Sequence, residues 1–130
     1  MQNSIIGDKS MAFAIRIVKL YKYLTNEKNE YVLSKQLLRS GTSIGANTRE
    51  SKNAQSKNDF LNKLNIALKE ADESEYWLDL LYKTEFLNNN EYISLHNDLC
   101  EIIKILTTII KTLKADVDKK LSTINCQLST

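Results

Sequence analysis

At 130 residues, 42 % hydrophobic and 26 % charged, the chain has the size and composition of one ordinary globular domain, 1–130, able to bury a core without disulfides or metal. It has no proline and only three glycines, Gly7, Gly41 and Gly45, so nothing forbids long helices. A formal net charge of +2 permits contact with nucleic acid but falls short of the dense basic stripe of a dedicated binder.

Hydrophobic periodicity divides the chain into four helical segments. Phe13, Ile17, Leu20 and Leu24 follow four- and three-residue steps, which predicts a helix over about 8–25, with Asp8 or Ser10 placed to cap it. Thr25–Glu30 is a polar break. The second helix is expected over about 30–52, on a stripe of Leu33, Leu37, Ser40, Ile44, Asn47 and Ser51 that begins apolar and ends polar. Ser56 to Asp59 reads as a capping box, with Asp in place of the usual Glu. A third helix over about 57–86 then carries Phe60, Leu64, Ala67, Ala71, Ser74, Leu78 and Leu81 in a sustained heptad pattern. Asn90 is placed to cap a fourth helix over about 90–114, striped by Tyr92, Leu95, Leu99, Ile102, Leu106, Ile109 and Leu113 and widened by Ile103 and Ile110. Residues 115–130 form a polar tail, partly helical and frayed from Cys126. Four helices with short connections predict an all-α, antiparallel up-down-up-down bundle.

Small residues mark the second and third helices. Gly41 and Gly45 share one face, flanked by Ser40, Ser43, Ile44 and Asn47; Ala67, Ala71 and Ser74 form a matching seam. Each glycine costs roughly 1 kcal/mol in a helix interior, which close backbone approach would offset. The seam either packs these two helices within the chain or meets a neighbouring subunit. Trp77, with a large ring and one donor, suits such an interface. Beside it, Arg39 or Arg49 is expected to pair with Glu70 or Glu73, near Glu50.

No catalytic constellation, phosphate loop or cofactor motif is present. The carboxylates of the third helix read as a salt-bridged face, since a ferritin-like site requires Glu-x-x-His at core positions. His96 is remote from them in sequence, with no arginine nearby. Cys100 and Cys126 lack metal-ligand spacing, and Cys100, inside an apolar pattern, reads as a small core residue. No cofactor, metal or enzymatic activity is expected. No window has the length of a membrane span, and a reducing cytoplasm is the expected location.

Leu37-Leu-Arg-Ser-Gly-Thr-Ser-Ile-Gly-Ala-Asn47, Glu50, Asp59-Phe and Leu64-Asn-Ile-Ala-Leu-Lys-Glu-Ala-Asp-Glu-Ser-Glu-Tyr-Trp-Leu78 together resemble the four-helix-bundle family of 23S rRNA intervening-sequence proteins, also called S23 ribosomal protein. The resemblance runs from about Lys9 to Leu113. It implies a bacterial homo-oligomer, typically a pentameric ring. A similar bundle, the accessory variability protein of diversity-generating retroelements, binds nucleic acid and a reverse transcriptase, so RNA, DNA and such an enzyme are the partners implied. Thr48 and Ser51 depart from the common pattern, as does Lys-Glu-Ala-Asp-Glu in the third helix.

Two functions follow, both non-enzymatic: a ring-forming nucleic-acid-binding or adaptor protein, and an assembly module without nucleic acid. For the first, candidate phosphate contacts are Arg16, Lys19 and Lys22 on the first helix and Arg49, Lys52, Lys57 and Lys63 around the second turn.

Overall fold

The computed structural model describes residues 4–128, which form four helices: α1 Ser4–Glu27, α2 Leu33–Ser51, α3 Lys57–Lys83 and α4 Asn89–Leu128. The chain is an all-α four-helix bundle, with no strand among the described residues. α2 lies between α1 and α3, α3 packs on α4, and a lighter contact joins α4 to α1. Paired residues run in opposite numerical order at each contact. Lys9 meets Glu101 and Arg16 meets Asp98; Arg39 meets Glu73 and Glu50 meets Lys63; Asp79 meets Tyr92 and Glu75 meets His96. Neighbouring helices therefore run antiparallel.

The core follows the expected stripes. Phe13, Ile17 and Leu24 of α1, Leu37 and Ile44 of α2, Leu64, Ala67, Ala71, Leu78 and Leu81 of α3, and Leu95, Leu99, Ile102 and Leu106 of α4 are all buried. Two positions shift. Thr48, not Asn47, is buried on α2, and Ile110, not Ile109, is buried on α4.

Helix ends differ from the sequence reading for local chemical reasons. α1 starts before Asp8, so Ile6 adds a buried turn, and Ser10 is no cap but a buried helical residue whose hydroxyl donates to the Gly7 carbonyl at 3.1 Å. α2 starts at Leu33 because Glu30 is its capping group instead of its first residue. The Glu30 carboxylate accepts from the backbone N–H of Val32, Leu33 and Ser34 at 3.2, 3.1 and 2.7 Å, while the Ser34 hydroxyl returns a bond to the Glu30 carbonyl. Those three donors are among the orphans that every helix start leaves unmatched. Burial raises the Glu30 carboxyl, but the bonds to Ser34, Leu33 and Val32 together outweigh it and hold the group below its ordinary value.

α3 begins as expected, with Ser56 accepting from Asp59 N–H at 3.0 Å. It ends at Lys83, before Phe86, because Glu85 turns left-handed (φ 69°) and lets Phe86 and Leu87 return their N–H groups to the Leu81 carbonyl. Asn88, not Asn90, caps α4: its side chain accepts from Glu91 N–H at 2.8 Å while Glu91 accepts from Asn88 N–H at 2.9 Å, a reciprocal capping box. α4 continues through Leu128 instead of ending near 114, since nothing after Lys114 breaks a helix. Its 40 residues span about 60 Å, roughly 20 Å more than α3. Val117, Leu121 and Ile124 of this overhang line a groove against Ser56, Lys57 and Asn58. Of the tail read as frayed, Ser129 and Thr130 lie outside the described residues.

The glycines correct the seam. Both face α1, not α3. A Cβ at Gly41 would stand 3.1 Å from both Cγ1 and Cγ2 of Ile17, whereas one at Gly45 would stand 3.5 Å from Ser10 Oγ, an ordinary contact. Gly45→Ala is therefore expected to stabilise the chain by up to ~1 kcal/mol through helix propensity. Gly41→Ala should fall below it by about 1 kcal/mol or more, because buried Ile17 must move. Urea unfolding distinguishes them; equal gains at both positions would contradict the close α1–α2 contact. Glu30→Gln should cost about 1 kcal/mol near neutral pH, as other helix caps do. A carboxyl depressed on folding stabilises above its unfolded pKa and loses that effect as pH falls through the folded value. The gap between wild type and Glu30→Gln should thus be full above the reference value of 4.5 and close below it. A gap independent of pH would contradict the cap.

Candidate functional site

The α2–α3 seam is polar and closes within the chain. Ser40 and Ser74 are fully buried. Their hydroxyls lie 2.9 Å apart, and Ser74 Oγ is 2.8 Å from the Glu70 carbonyl. One proton can serve the hydroxyl pair and the other the carbonyl, so the buried pair satisfies itself. At the rim, Arg39 forks between two carboxylates one turn apart, Glu70 at 2.8 Å and Glu73. The Trp77 indole N–H donates to the same Glu73 carboxylate at 3.2 Å. Trp77 and then Arg39 hold the Glu73 carboxyl below its ordinary range, and Glu70 and Glu73 push the Arg39 guanidinium up. Half of the Arg39 side chain is in water, so the fork contributes on the order of 0.2–1 kcal/mol and mainly fixes register.

The other expected interface residues also find their partners within the chain. Ile44 is wholly buried. The Ser43 hydroxyl donates to the Arg39 carbonyl, and the Asn47 amide donates to the Ser43 carbonyl. Glu50 meets Lys63 at 3.6 Å. None of these polar groups needs a partner from another chain.

An exposed apolar stripe lies on α1, apart from the exposed Leu121 and Ile124 of the α4 overhang. Met11, Ile15 and Val18, at helical spacing, are 45 %, 48 % and 36 % exposed. Met11, at one end of the stripe, lines a groove between α1 and α2 with Ser10, Ala14, Thr42, Gly45 and Ala46, and Asp8, Arg49, Glu50 and Lys52 form its charged walls. The α1 stripe alternates in plain view in the sequence, but a single apolar face was already accounted for by Phe13, Ile17 and Leu24.

The seven candidate cations do not gather into one patch. Arg16 reaches α4, where it binds the Asp98 carboxylate at 2.5 Å and Ser94 Oγ at 2.8 Å. Lys63 is held by Glu50. Lys19 and Lys22 are exposed towards the α1–α2 turn. Arg49 and Lys52 stand at the opposite end of the hairpin, where Lys52 Nζ approaches Gly7. Lys22 and Gly7 are fifteen residues apart, about 22 Å along α1. Lys57 lies beyond them with Asp116, Lys119 and Lys120 of the overhang.

A cluster absent from the sequence reading stands on the α3–α4 face. His96 and Cys100, one turn apart on α4, meet Glu75 of α3. His96 Nε2 is 2.8 Å from Glu75 Oε2, and Cys100 Sγ is 3.5 Å from His96 Nδ1 and 3.8 Å from Nε2. Cys100 is exposed, not a core residue. His96, far from the carboxylates in sequence, touches one of them, because the antiparallel return of α4 brings position 96 beside position 75. Tyr92 stacks on His96 and on Tyr82, and its hydroxyl donates to Asp79 at 2.5 Å. That bond, then burial, pushes the Tyr92 phenol up to about 12. Burial, followed by Glu75 and Asp79, also raises the Cys100 thiol, so the face is electronegative. The signal in the sequence was the four-residue spacing of His96 and Cys100, matched by Glu75 and Asp79.

Residues 2–108 match a family described as 23S rRNA-intervening sequence protein. No curated protein matches the chain. A crystal structure at 1.70 Å of a protein of unknown function from the S23 ribosomal protein family of Bacteroides thetaiotaomicron is 60 % identical, with a TM-score of 0.84, covering 85 % of this chain and 99 % of its own.

Trp77 is the only tryptophan and donates directly to Glu73, so its emission reports that carboxyl. Emission should change on acidification with a midpoint below the reference value of 4.5. Arg39→Ala should move that midpoint upward. A midpoint unaffected by the substitution would contradict the fork.

Proposed function

This chain belongs to the 23S rRNA-intervening sequence protein family, and from that premise we propose that it is a non-enzymatic adaptor that assembles into a ring of identical subunits, a pentamer, and contacts nucleic-acid phosphates. The observation that carries the reading is the exposed Met11, Ile15 and Val18 stripe of α1, whose Met11 end lines the groove between α1 and α2. A contiguous apolar face at helical spacing gains free energy when a second copy covers it. Ala14, Thr42, Gly45 and Ala46 leave space there for a neighbouring helix, and Asp8, Arg49, Glu50 and Lys52 supply charges at its walls. Meanwhile the polar groups of the α2–α3 seam are satisfied within one subunit, so they do not compete for that role.

Repetition of the chain supports the nucleic-acid part. Five copies of a +2 chain carry a formal charge of about +10, and a ring repeats Lys19, Lys22, Arg49 and Lys52 around its axis. The family's name links its members to 23S rRNA, which makes structured RNA the first ligand to test. No helix of the described residues is long and apolar enough to cross a membrane, and a cytoplasmic location belongs to the same reading. A second reading, assembly without nucleic acid, draws on the ion pairs that already occupy Arg16 and Lys63.

Light scattering should give a mass near five times the 14.9 kDa chain. Ile15→Glu should dissociate the particle with its helicity intact. A 14.9 kDa species at micromolar concentration would overturn the assembly. Titration with structured RNA at two salt concentrations should show binding that weakens steeply with salt. An assembled particle that binds no RNA at low salt would select the second reading.

A further inference from the structure

We propose that Glu75, His96 and Cys100 form a binding site for a borderline-soft divalent metal ion of the zinc type, bridging α3 and α4. The three side chains offer a carboxylate, an imidazole and a thiol, and their ligand atoms lie within 4.8 Å of one another. Two ligands spaced by four residues on one helical face form a chelate without backbone rearrangement. α4 supplies that pair as His96 and Cys100, and α3 closes the site with Glu75.

The distances fit a tetrahedral ion. Metal bonds of about 2.3 Å to sulfur and 2.0–2.2 Å to nitrogen or oxygen place neighbouring ligand atoms roughly 3.3–3.6 Å apart. Cys100 Sγ stands 3.8 Å from His96 Nε2, and Glu75 Oε2 stands 2.8 Å from the same nitrogen. The first distance must close slightly and the second must open from a hydrogen bond. The first shift is roughly 0.2–0.5 Å and the second roughly 0.5–0.8 Å, and Glu75 and Cys100, whose ligand atoms lie within 4.8 Å, must draw to about 3.6 Å. Asp79, one turn from Glu75 on α3, adds a second carboxylate to the face and is held in place by the Tyr92 hydroxyl. Water takes the remaining coordination position, as in three-ligand zinc sites.

Electrostatics separates this reading from a nucleophilic cysteine. A Cys–His–Glu line resembles a catalytic relay, but a nucleophile needs a cationic environment to hold its thiolate. Here Glu75 and Asp79 surround Cys100 with negative charge. Among the described residues the ion-pair partner of Glu75 is His96, with no lysine or arginine on it. A divalent cation supplies the missing positive charge and displaces the thiol proton on binding. Thiolate with imidazole selects zinc-like ions over magnesium or calcium, which take oxygen ligands.

The test is a cobalt(II) titration of the full-length, phosphine-reduced chain, followed by absorbance. One equivalent per chain should produce a sulfur-to-cobalt charge-transfer band together with tetrahedral ligand-field bands, and zinc(II) should displace it. Cys100→Ser should abolish the charge-transfer band, and His96→Ala should weaken binding by about tenfold or more. Glu75→Gln, the most conservative change, should also weaken it while leaving metal-free melting in place. Cys126→Ser should leave the spectrum unchanged. Absence of the band in the wild-type chain, or its loss in Cys126→Ser with retention in Cys100→Ser, would overturn the proposal.

Discussion

The arrangement depends on the close approach of α1 to α2 at Gly41. Ile17 sits so near the backbone that a Cβ at this position would fall 3.1 Å from two of its carbons. No other residue provides that space without shifting a buried side chain. Holding α1 tightly on this face sets the rotation of α2, and the rotation decides what α2 turns toward α3. Ser40 and Ile44 then point inward against Ser74 and its neighbours, while Arg39 emerges at the rim within reach of Glu70 and Glu73.

The same rotation explains why so polar a helix is stable in a bundle. α2 buries Ser34, Ser40, Thr48 and Ser51, and each hydroxyl finds a partner on a carbonyl or on another hydroxyl. Among the described residues no buried side-chain nitrogen or oxygen is left without one. An unpaired hydroxyl in that position would cost on the order of 1–3 kcal/mol. Since the polar seam satisfies itself, the proposed assembly draws on the exposed apolar stripe of α1 instead. In that proposal, assembly and intrachain packing use different faces of the same hairpin.

Periodicity made the four helices and most of the core legible, because burial repeats with the helical turn. The ends were harder. Glu30 looks like a first helical residue in the sequence, and only its folded position shows its carboxylate gathering three backbone donors. The direction faced by Gly41 and Gly45 was equally hidden. Small residues announce close contact, but not which of two neighbouring helices makes it. The Glu75, His96 and Cys100 cluster was hidden for a third reason, since it joins positions on separate helices and depends on the register of α4 against α3. Arg39 and its carboxylates were readable, because spaced opposite charges beside a common seam have few other arrangements. The cations were readable one by one, whereas their separation along α1 was not.

The proposed assembly requires that the small polar face of α2 be consumed within one chain and the exposed face of α1 be left for its copies. The most direct measurement is the rate at which a thiol probe labels Ile15→Cys, with Cys100→Ser and Cys126→Ser in the background, from concentrated to highly dilute chain. Ile15→Cys should be protected when concentrated and label freely on dilution, while Ser43→Cys in the same background should label at one rate throughout. Concentration-independent labelling of Ile15→Cys, or protection of Ser43→Cys that is lost on dilution, would contradict it.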